Sequence, residues 1–418
     1  MNAFSVPLTL KLAFRNIFRN RRRTLLTGLS MLAGYVLLVV SFSLQDGVYH
    51  YMLEAYTQDS SGHLQITHKD YLDNPTLYRT VANSTELETL LESDDLIERL
   101  TTRIHSTALA YGDNKTGLAM LIGIDVERER KLSFIENKIQ QGNYLTQNIN
   151  ADGYYQAMIG QGLASSLKLK VGDELVLISQ GIDGSMANDI FIVSAIVGNQ
   201  NSAERFNVYL PLAPMQQFMA MPNAVHRIII LIDDYEHSED AAIQLQQKYQ
   251  TTLAEYDLAV FSWQIVEKEF YRVMKADKDG NVISMYIVVF LVCLGVLNTI
   301  LMSILERTGE FGVLKAIGTS PSRIFVGILL ESQVLAVLCC VLGFMIALPI
   351  NYYFTYVGIQ LPEPMEISGL SFQNVRGLMN ISVFVYPASI MVCATLLISI
   401  IPAYRAAKIK PLDAMRSL

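Results

Sequence analysis

Charged residues are nearly absent from four stretches of this chain. Thr24–Leu44, Val282–Leu305 and Ile381–Ala403 carry none, and Ile324–Ile350 carries Glu331 alone. Each can cross about 30 Å of hydrocarbon as a helix. The pattern predicts transmembrane helices at 24–45, 282–305, 324–350 and 381–403. The first apolar run is longer than the core of a signal peptide, and no small-residue cleavage site follows it, so it reads as a retained span. The expected fold is an α-helical membrane protein with four spans and a large extracytoplasmic α+β domain, 46–281, between the first and second.

Inside 46–281 the periodicity changes repeatedly. Asp46–Thr57 extends the first span with Val48, Tyr49, Met52, Leu53 and Tyr56 in helical order, and Val260–Ala276 leads back to the second. These predict stalks at 46–57 and 263–281. Between them, HLQIT at 63–67, NVYLPL at 207–212, HRIIILID at 226–233 and a stretch near 257–262 read as strands. HSTALAYG and GLAMLIGI, at 105–112 and 117–124, read as a hairpin across Asp113-Asn114. Asn83–Arg99 with Ser84 as cap, Asp125–Gln141, 213–220 and 236–250 read as helices. The alternation predicts an α/β layer over 58–152 and 205–262, interrupted by a β-rich insertion at 153–204 whose glycines serve turns.

The polar segment 306–323 lies between two spans yet has its own helical stripe. Glu310, Phe311, Val313, Leu314 and Ile317 line it, with Lys315 on the polar side. Gly318 supplies a stop, and Pro321 cannot continue the same helix. A short helix tethered at both ends has its apolar face free to dock. Pro7–Arg22, within 1–23, reads as a basic interfacial helix under the first span. Gly28, Gly34 and Ser41 give that span a small-residue surface suited to close contact across a dimer.

Charge sets the orientation. Residues 1–23 hold six bases and no acid, the tail 404–418 is basic, and the loop 351–380 has Arg376 as its one base. The positive-inside rule places both termini and 306–323 in the cytoplasm, and 46–281 and 351–380 outside. The net charge of −7 hides this split, because 46–281 has 18 Lys+Arg against 33 Asp+Glu and the rest is +8. An acidic domain argues against nucleic acid as a partner. All four cysteines fall in predicted spans, so the external domain is expected to lack disulfides, as in a bacterial envelope. No phosphate-binding G-x-x-x-x-G-K-[ST], no C-x-x-C and no H-E-x-x-H occurs. The chain reads as no enzyme by itself, with no catalytic residue, metal or cofactor of its own.

The run N-T-I-L-M-S-I-L-E-R-T-G-E-F-G-V-L-K-A-I-G at 298–318 resembles the signature of the MacB/FtsX/LolC-LolE superfamily of ABC transporter permeases, the type VII mechanotransmission group. The ending I-P-A-Y-R-A-A-K-I-K-P-L-D-A-M-R at 401–416 and R-N-I-F-R-N-R-R-R-T-L-L-T at 15–27 are similar too. The resemblance implies a multi-pass protein of a bacterial inner membrane, with a periplasmic domain of Porter and inserted Sabre parts. Its partners would be a cytoplasmic ABC ATPase dimer carrying ATP and Mg, a second permease subunit (the same chain or another), membrane lipid, and a periplasmic lipoprotein, chaperone or adaptor. Glu306 and Arg307 would cap a coupling helix running through Glu310, Phe311, Gly312, Leu314, Lys315, Ala316, Ile317 and Gly318. Phe311, Leu314 and Ile317 would fill the ATPase groove, or Phe311 and Leu314 would pack on the chain's own N-terminal helix. Glu331 would mark function, or reach water or a cytoplasmic base. Layout and length resemble the LolC/LolE type, which implies extraction of lipoprotein or other amphiphilic cargo, with Val48, Met52, Tyr56, Val266, Phe270 and Met274 as an apolar stalk face. MacB-like tripartite efflux and FtsX-like regulation of a cell-wall hydrolase are the alternatives.

Overall fold

In the computed structural model, residues 21–113, 115–150, 153–367 and 370–409 are described; the expected helix at 7–22 and the tail beyond 409 lie almost wholly outside them. The apolar runs form α1 (Arg21–Tyr56), α2 (Lys268–Glu306), α4 (Pro321–Tyr356) and α5 (Ile381–Lys408), with α3 (Thr308–Ala316) between the second and third. All four long helices have the length and apolarity to cross a membrane. Both α1, at 36 residues, and α2, at 39, outrun any bilayer core, reaching about 54 and 58 Å. The chain divides into two compact units, one holding the described residues of Met1–His50, Lys275–Pro362 and Gln373–Leu418, the other Tyr51–Met274 and Glu363–Phe372.

The helical unit packs tightly because small residues admit large ones. Tyr35, fully buried, lies over Gly343, where a Cβ would stand 2.5 Å from its ring, and its hydroxyl donates to the Phe384 carbonyl at 3.2 Å. Gly34 is occupied the same way by Val292, and Gly28 faces Cys339. Gly34 thus serves the chain's own bundle. The segment 351–380, expected as a loop, contains a hairpin of Ile359–Ile367 and Leu370–Val375.

The second unit is built on one ten-stranded sheet: β1 (Leu64–His68), β2 (Arg99–Gly112), β3 (Lys115–Ile124), β4 (Ile139–Gly142), β5 (Tyr155–Gly160), β6 (Glu174–Gln180), β7 (Met186–Val197), β8 (Asn207–Pro211), β9 (Arg227–Leu231) and β10 (Leu258–Ser262). The predicted hairpin is β2–β3, with Gly112 opposite Lys115. Strands of the expected insertion do not stand apart. β5 pairs with β8 and β7, β7 with β6, and β6 returns to β2, which closes a six-stranded circuit β2-β3-β8-β5-β7-β6. Alternation along β2 and β3 puts Ala108, Ala110, Ala119 and Leu121 into the main core with Leu175, Leu177 and Phe191, and leaves Leu109, Tyr111, Leu118 and Met120 outside. Two expected helices are shorter than the pattern implied. Ser84–Glu92 starts from Asn83, not Ser84, in a left-handed conformation, and the rest of 83–99 turns into β2. Val126–Leu132 is capped by Asp125, which accepts from the Glu127 and Arg128 amides, and gives way to a turn and β4.

On its other face the sheet buries charge. Arg103 of β2 forms a two-pronged pair with Glu129, at 2.6 and 3.1 Å, with both side chains under a tenth exposed. Its remaining prong donates to the carbonyls of Asp59 and Ser60, at 3.0 and 2.7 Å. Those carbonyls belong to the wide turn Thr57–Ser61 that ends α1. Gly62 closes it with φ of 66°, where a Cβ would meet Ile229 at 2.5 Å. Lys138 holds the Asp59 carboxylate at 2.7 Å and also pairs with Glu204.

His226 is a second buried polar post. Its Nδ1 accepts the His105 backbone N–H at 3.1 Å, so Nε2 carries the proton and donates to the Leu77 carbonyl. Burial, with Arg227 adding to it, pushes its pKa down to about 4. The unfolded chain, near 6.5, takes up a proton first as pH falls, so stability is full above 6.5 and is lost from there down to 4, by about 3 kcal/mol at most. Denaturation of the full chain at pH 7.5, 5.5 and 4.5 should show that decline. H226N, which keeps an acceptor but no titratable ring, should make it shallower, with the buried rings of His63 and His105 carrying the rest; equal slopes for both proteins would refute the assignment.

Candidate functional site: the α2–α3–α4 turn and the groove between α1 and α2

The turn after α2 is held by one arginine. Arg307 donates through Nε to Glu310 at 3.1 Å and through one guanidinium nitrogen to both oxygens of Glu331, at 2.8 and 3.1 Å. The isolated acid of the third apolar run is thus one partner of a salt bridge about three turns into α4, and such pairing is what makes an acid tolerable inside a span. Arg307 sits at the N-cap of α3, but its side chain makes no cap hydrogen bond and lies over the Phe311 ring at 5.3 Å. Glu306 ends α2 and is exposed. The expected cap is therefore a clamp. At the far end, Gly318 at φ 97° stops the helix: its N–H meets the Lys315 carbonyl and the Thr319 N–H the Leu314 carbonyl, both at 3.0 Å. Lys315 donates to the Ile409 carbonyl at 2.8 Å, tying the turn to the end of α5.

The stripe on α3 is divided between two environments. Phe311 is 5% exposed, packed with Ile304, Ile324, Ile328, Ala403 and Ala406, and Gly312 is buried beside it. This corrects the expectation for Phe311, which docks on the chain's own helices α2, α4 and α5 and is not presented to a partner. Leu314 at 43%, Ile317 at 79% and Val313 at 45% remain outside, with exposed Ala316. Val313 lay on the predicted stripe without being singled out as a contact residue.

The six stalk residues separate as well. Tyr56 stacks on Phe270 with ring centroids 3.9 Å apart, and its hydroxyl donates to Glu267 at 3.0 Å; Ser60 reaches the other oxygen of that carboxylate. Met52 and Met274 are buried, and Val266 is partly covered. Four of the six are thus shut into packing within one chain and form no open apolar face.

Val48 lines an opening of a different kind from the charged cavity that Tyr56 borders. Leu38, Phe42, Val48, Met285 and Val288 wall a groove of about 450 Å³ between α1 and α2, and Ser41, Gln45, Tyr49, Asp277, Asn281 and Ser284 give it a polar side. Tyr49 donates to Asp277 at 2.5 Å and accepts from Asn281 at 3.0 Å. The pattern signalled only half of this. Asp277 and Asn281 are four apart on one helix face just before an apolar run, but their partner lies 228 and 232 residues away.

Family models match nearly all of the described chain: the MacB-like periplasmic core domain over residues 24–248 and the FtsX-like permease C-terminal domain over 282–411. The chain belongs to this MacB/FtsX family of ABC transporter permeases. Among relatives, the lipoprotein-releasing system transmembrane protein LolE of Haemophilus influenzae is 22% identical over 84% of this chain and 85% of its own. The macrolide export ATP-binding/permease protein MacB of Salmonella typhi is 23% identical over 99% of this chain and 61% of its own. The ABC transporter permease YtrF of Bacillus subtilis is 33% identical over 33% of this chain and 32% of its own. Permease subunits of this kind are not catalytic alone, and they work with an ATPase.

Proposed function

We propose that this permease subunit couples ATP hydrolysis on a separate cytoplasmic ATPase pair to movement of its external domain, and that it extracts lipoprotein or another amphiphile from the inner membrane. The groove between α1 and α2 carries this reading. An acylated cargo needs an apolar slot for its chains beside polar groups for its head, and the groove offers both on neighbouring surfaces. In this reading both termini and α3 face the cytoplasm, as the basic flanks require. A second permease copy, identical or related, completes the transporter. ATP and Mg stay on the ATPase, whose surface receives Leu314, Ile317 and Val313.

A photo-crosslinking amino acid at Val48 or Val288, with exposed Tyr51 as control, tests the cargo. Acylated proteins trapped from native membranes at 48 and 288 but not at 51 are expected. Capture of soluble peptides alone would favour efflux, and absence of an ATP-binding-cassette subunit from the same mild-detergent preparation would refute the coupling.

A further inference from the structure

The helix α2 carries two apolar stripes, and the chain's own bundle uses one of them. Val292, Val296, Ile300 and Ile304, each four residues after the last, pack into the core of the helical unit with residues of α1, α4 and α5. Ile287, Leu291, Leu294 and Leu305 point the other way and are exposed, with Leu301 partly covered. Together with Asn298 they recur at intervals of four, three, four, three and four. That is the heptad spacing of a seam between two helices. The leucines alone do not decide what covers them, because a face turned to lipid is as apolar as one turned to another helix.

Asn298 decides it. The residue is exposed near the middle of this stripe, and among the described residues none hydrogen-bonds its side-chain amide. It stands about 12 Å from the end of α2 at Glu306 and about 24 Å from the start of the charge-free run at Val282, inside the hydrocarbon. Lipid tails offer neither donor nor acceptor, so an amide turned towards them leaves all its hydrogen bonds unmade. A polar side chain at this depth on an outer face calls for a second helix that supplies them.

We propose that this face of α2 is the seam on which two copies of the chain meet, with Asn298 hydrogen-bonded to Asn298 of the partner subunit. The proposal rests on the reading of the chain as one half of a transporter, and it names the surface that joins the halves. Self-complementarity selects the occupant. Two copies inserted in the same orientation are related by a two-fold axis along the membrane normal, so their α2 helices run parallel and each seam position faces its own counterpart. A carboxamide suits such a place, because it donates through its NH2 and accepts through its carbonyl, and two of them pair. The heptad interval sets a left-handed crossing, and one polar residue among leucines fixes its register.

Disulfide crosslinking of the full chain in its native membranes tests the seam, with exposed Cys393 replaced by serine. L291C and L294C should each give a covalent dimer of this chain. Y286C, exposed on the same helix but about 100° round from Ile287, should not. In the L291C background, N298L should slow crosslinking about tenfold at an unchanged level of chain, and N298Q, which keeps an amide, should preserve it. Crosslinking at 286 equal to that at 291, no crosslinking at either seam position, or no effect of N298L would each overturn the proposal. Crosslinks to a different polypeptide alone would also overturn it, giving the seam to a related subunit. Retention of an ATP-binding-cassette subunit in mild detergent from the same membranes separates the two readings. With that subunit present, a failed seam strikes the interface alone; its absence would overturn both.

Discussion

Arg103→Ala should destabilise the domain between the first and second spans by about 3–5 kcal/mol, the usual cost of leaving one member of a buried ion pair uncompensated. The loss has two parts. Glu129 keeps a buried charge with no cation on it, and the Asp59 and Ser60 carbonyls lose the donor that holds the turn at the end of α1. The second part has its own signature: amide exchange in 57–62 should rise more than exchange in β5 or β7, on the far side of the circuit. The double variant R103M/E129L removes both charges and should recover most of the stability, since apolar replacement of a buried pair is often neutral or better. It cannot restore the two carbonyl contacts, so its turn should still exchange faster than wild type. A cost below about 1 kcal/mol for R103A would mean that the pair is hydrated and clamps nothing.

That network also shows where reading the sequence stopped. The spans were legible because a bilayer demands about twenty apolar residues in succession, a demand written locally. So were β2 and β3, where period-2 alternation runs up to Asp113-Asn114 and resumes after it. Closure of six strands into a circuit was not, because the Leu109–Ile178 and Tyr155–Phe191 pairings leave no local trace. The insertion read as separate for that reason. Helices were overextended wherever a charged, helix-tolerant stretch was in fact a short capped helix followed by a strand, as after Asp125. In the candidate site, periodicity identified the apolar stripe of α3 but could not say which members faced inward. Phe311 was withdrawn by Ile304, Ile324, Ile328, Ala403 and Ala406, residues from three other helices. The stalk residues are apolar in the sequence, yet most of that apolarity is consumed by Tyr56 stacking on Phe270 and the burial of Met52 and Met274.

Leu314→Asp and Ile317→Asp should each cut cargo release at least tenfold while leaving the amount of chain in the membrane unchanged. Both side chains are exposed on α3 and neither contributes to the packing around Phe311, so a charge there costs the fold little. A docked partner would have to desolvate that carboxylate in an apolar contact. Losses above about 2 kcal/mol are typical of a central hot spot, and 1.4 kcal/mol already corresponds to tenfold. Charge reversal at Glu310 is a poorer probe, because it also attacks Arg307, and through Arg307 the bond to Glu331. Phe311→Ala is the useful contrast. It opens a void among α2, α4 and α5 and should lower the level of folded chain, with release falling in proportion and no further. The decisive readout is release per folded molecule against ATPase rate in the assembled transporter. Normal release by both aspartate variants would remove α3 as the coupling element. Release lost while ATP is still consumed would place the broken link at Leu314 and Ile317, between the ATPase and the helices that Arg307 and Lys315 hold together.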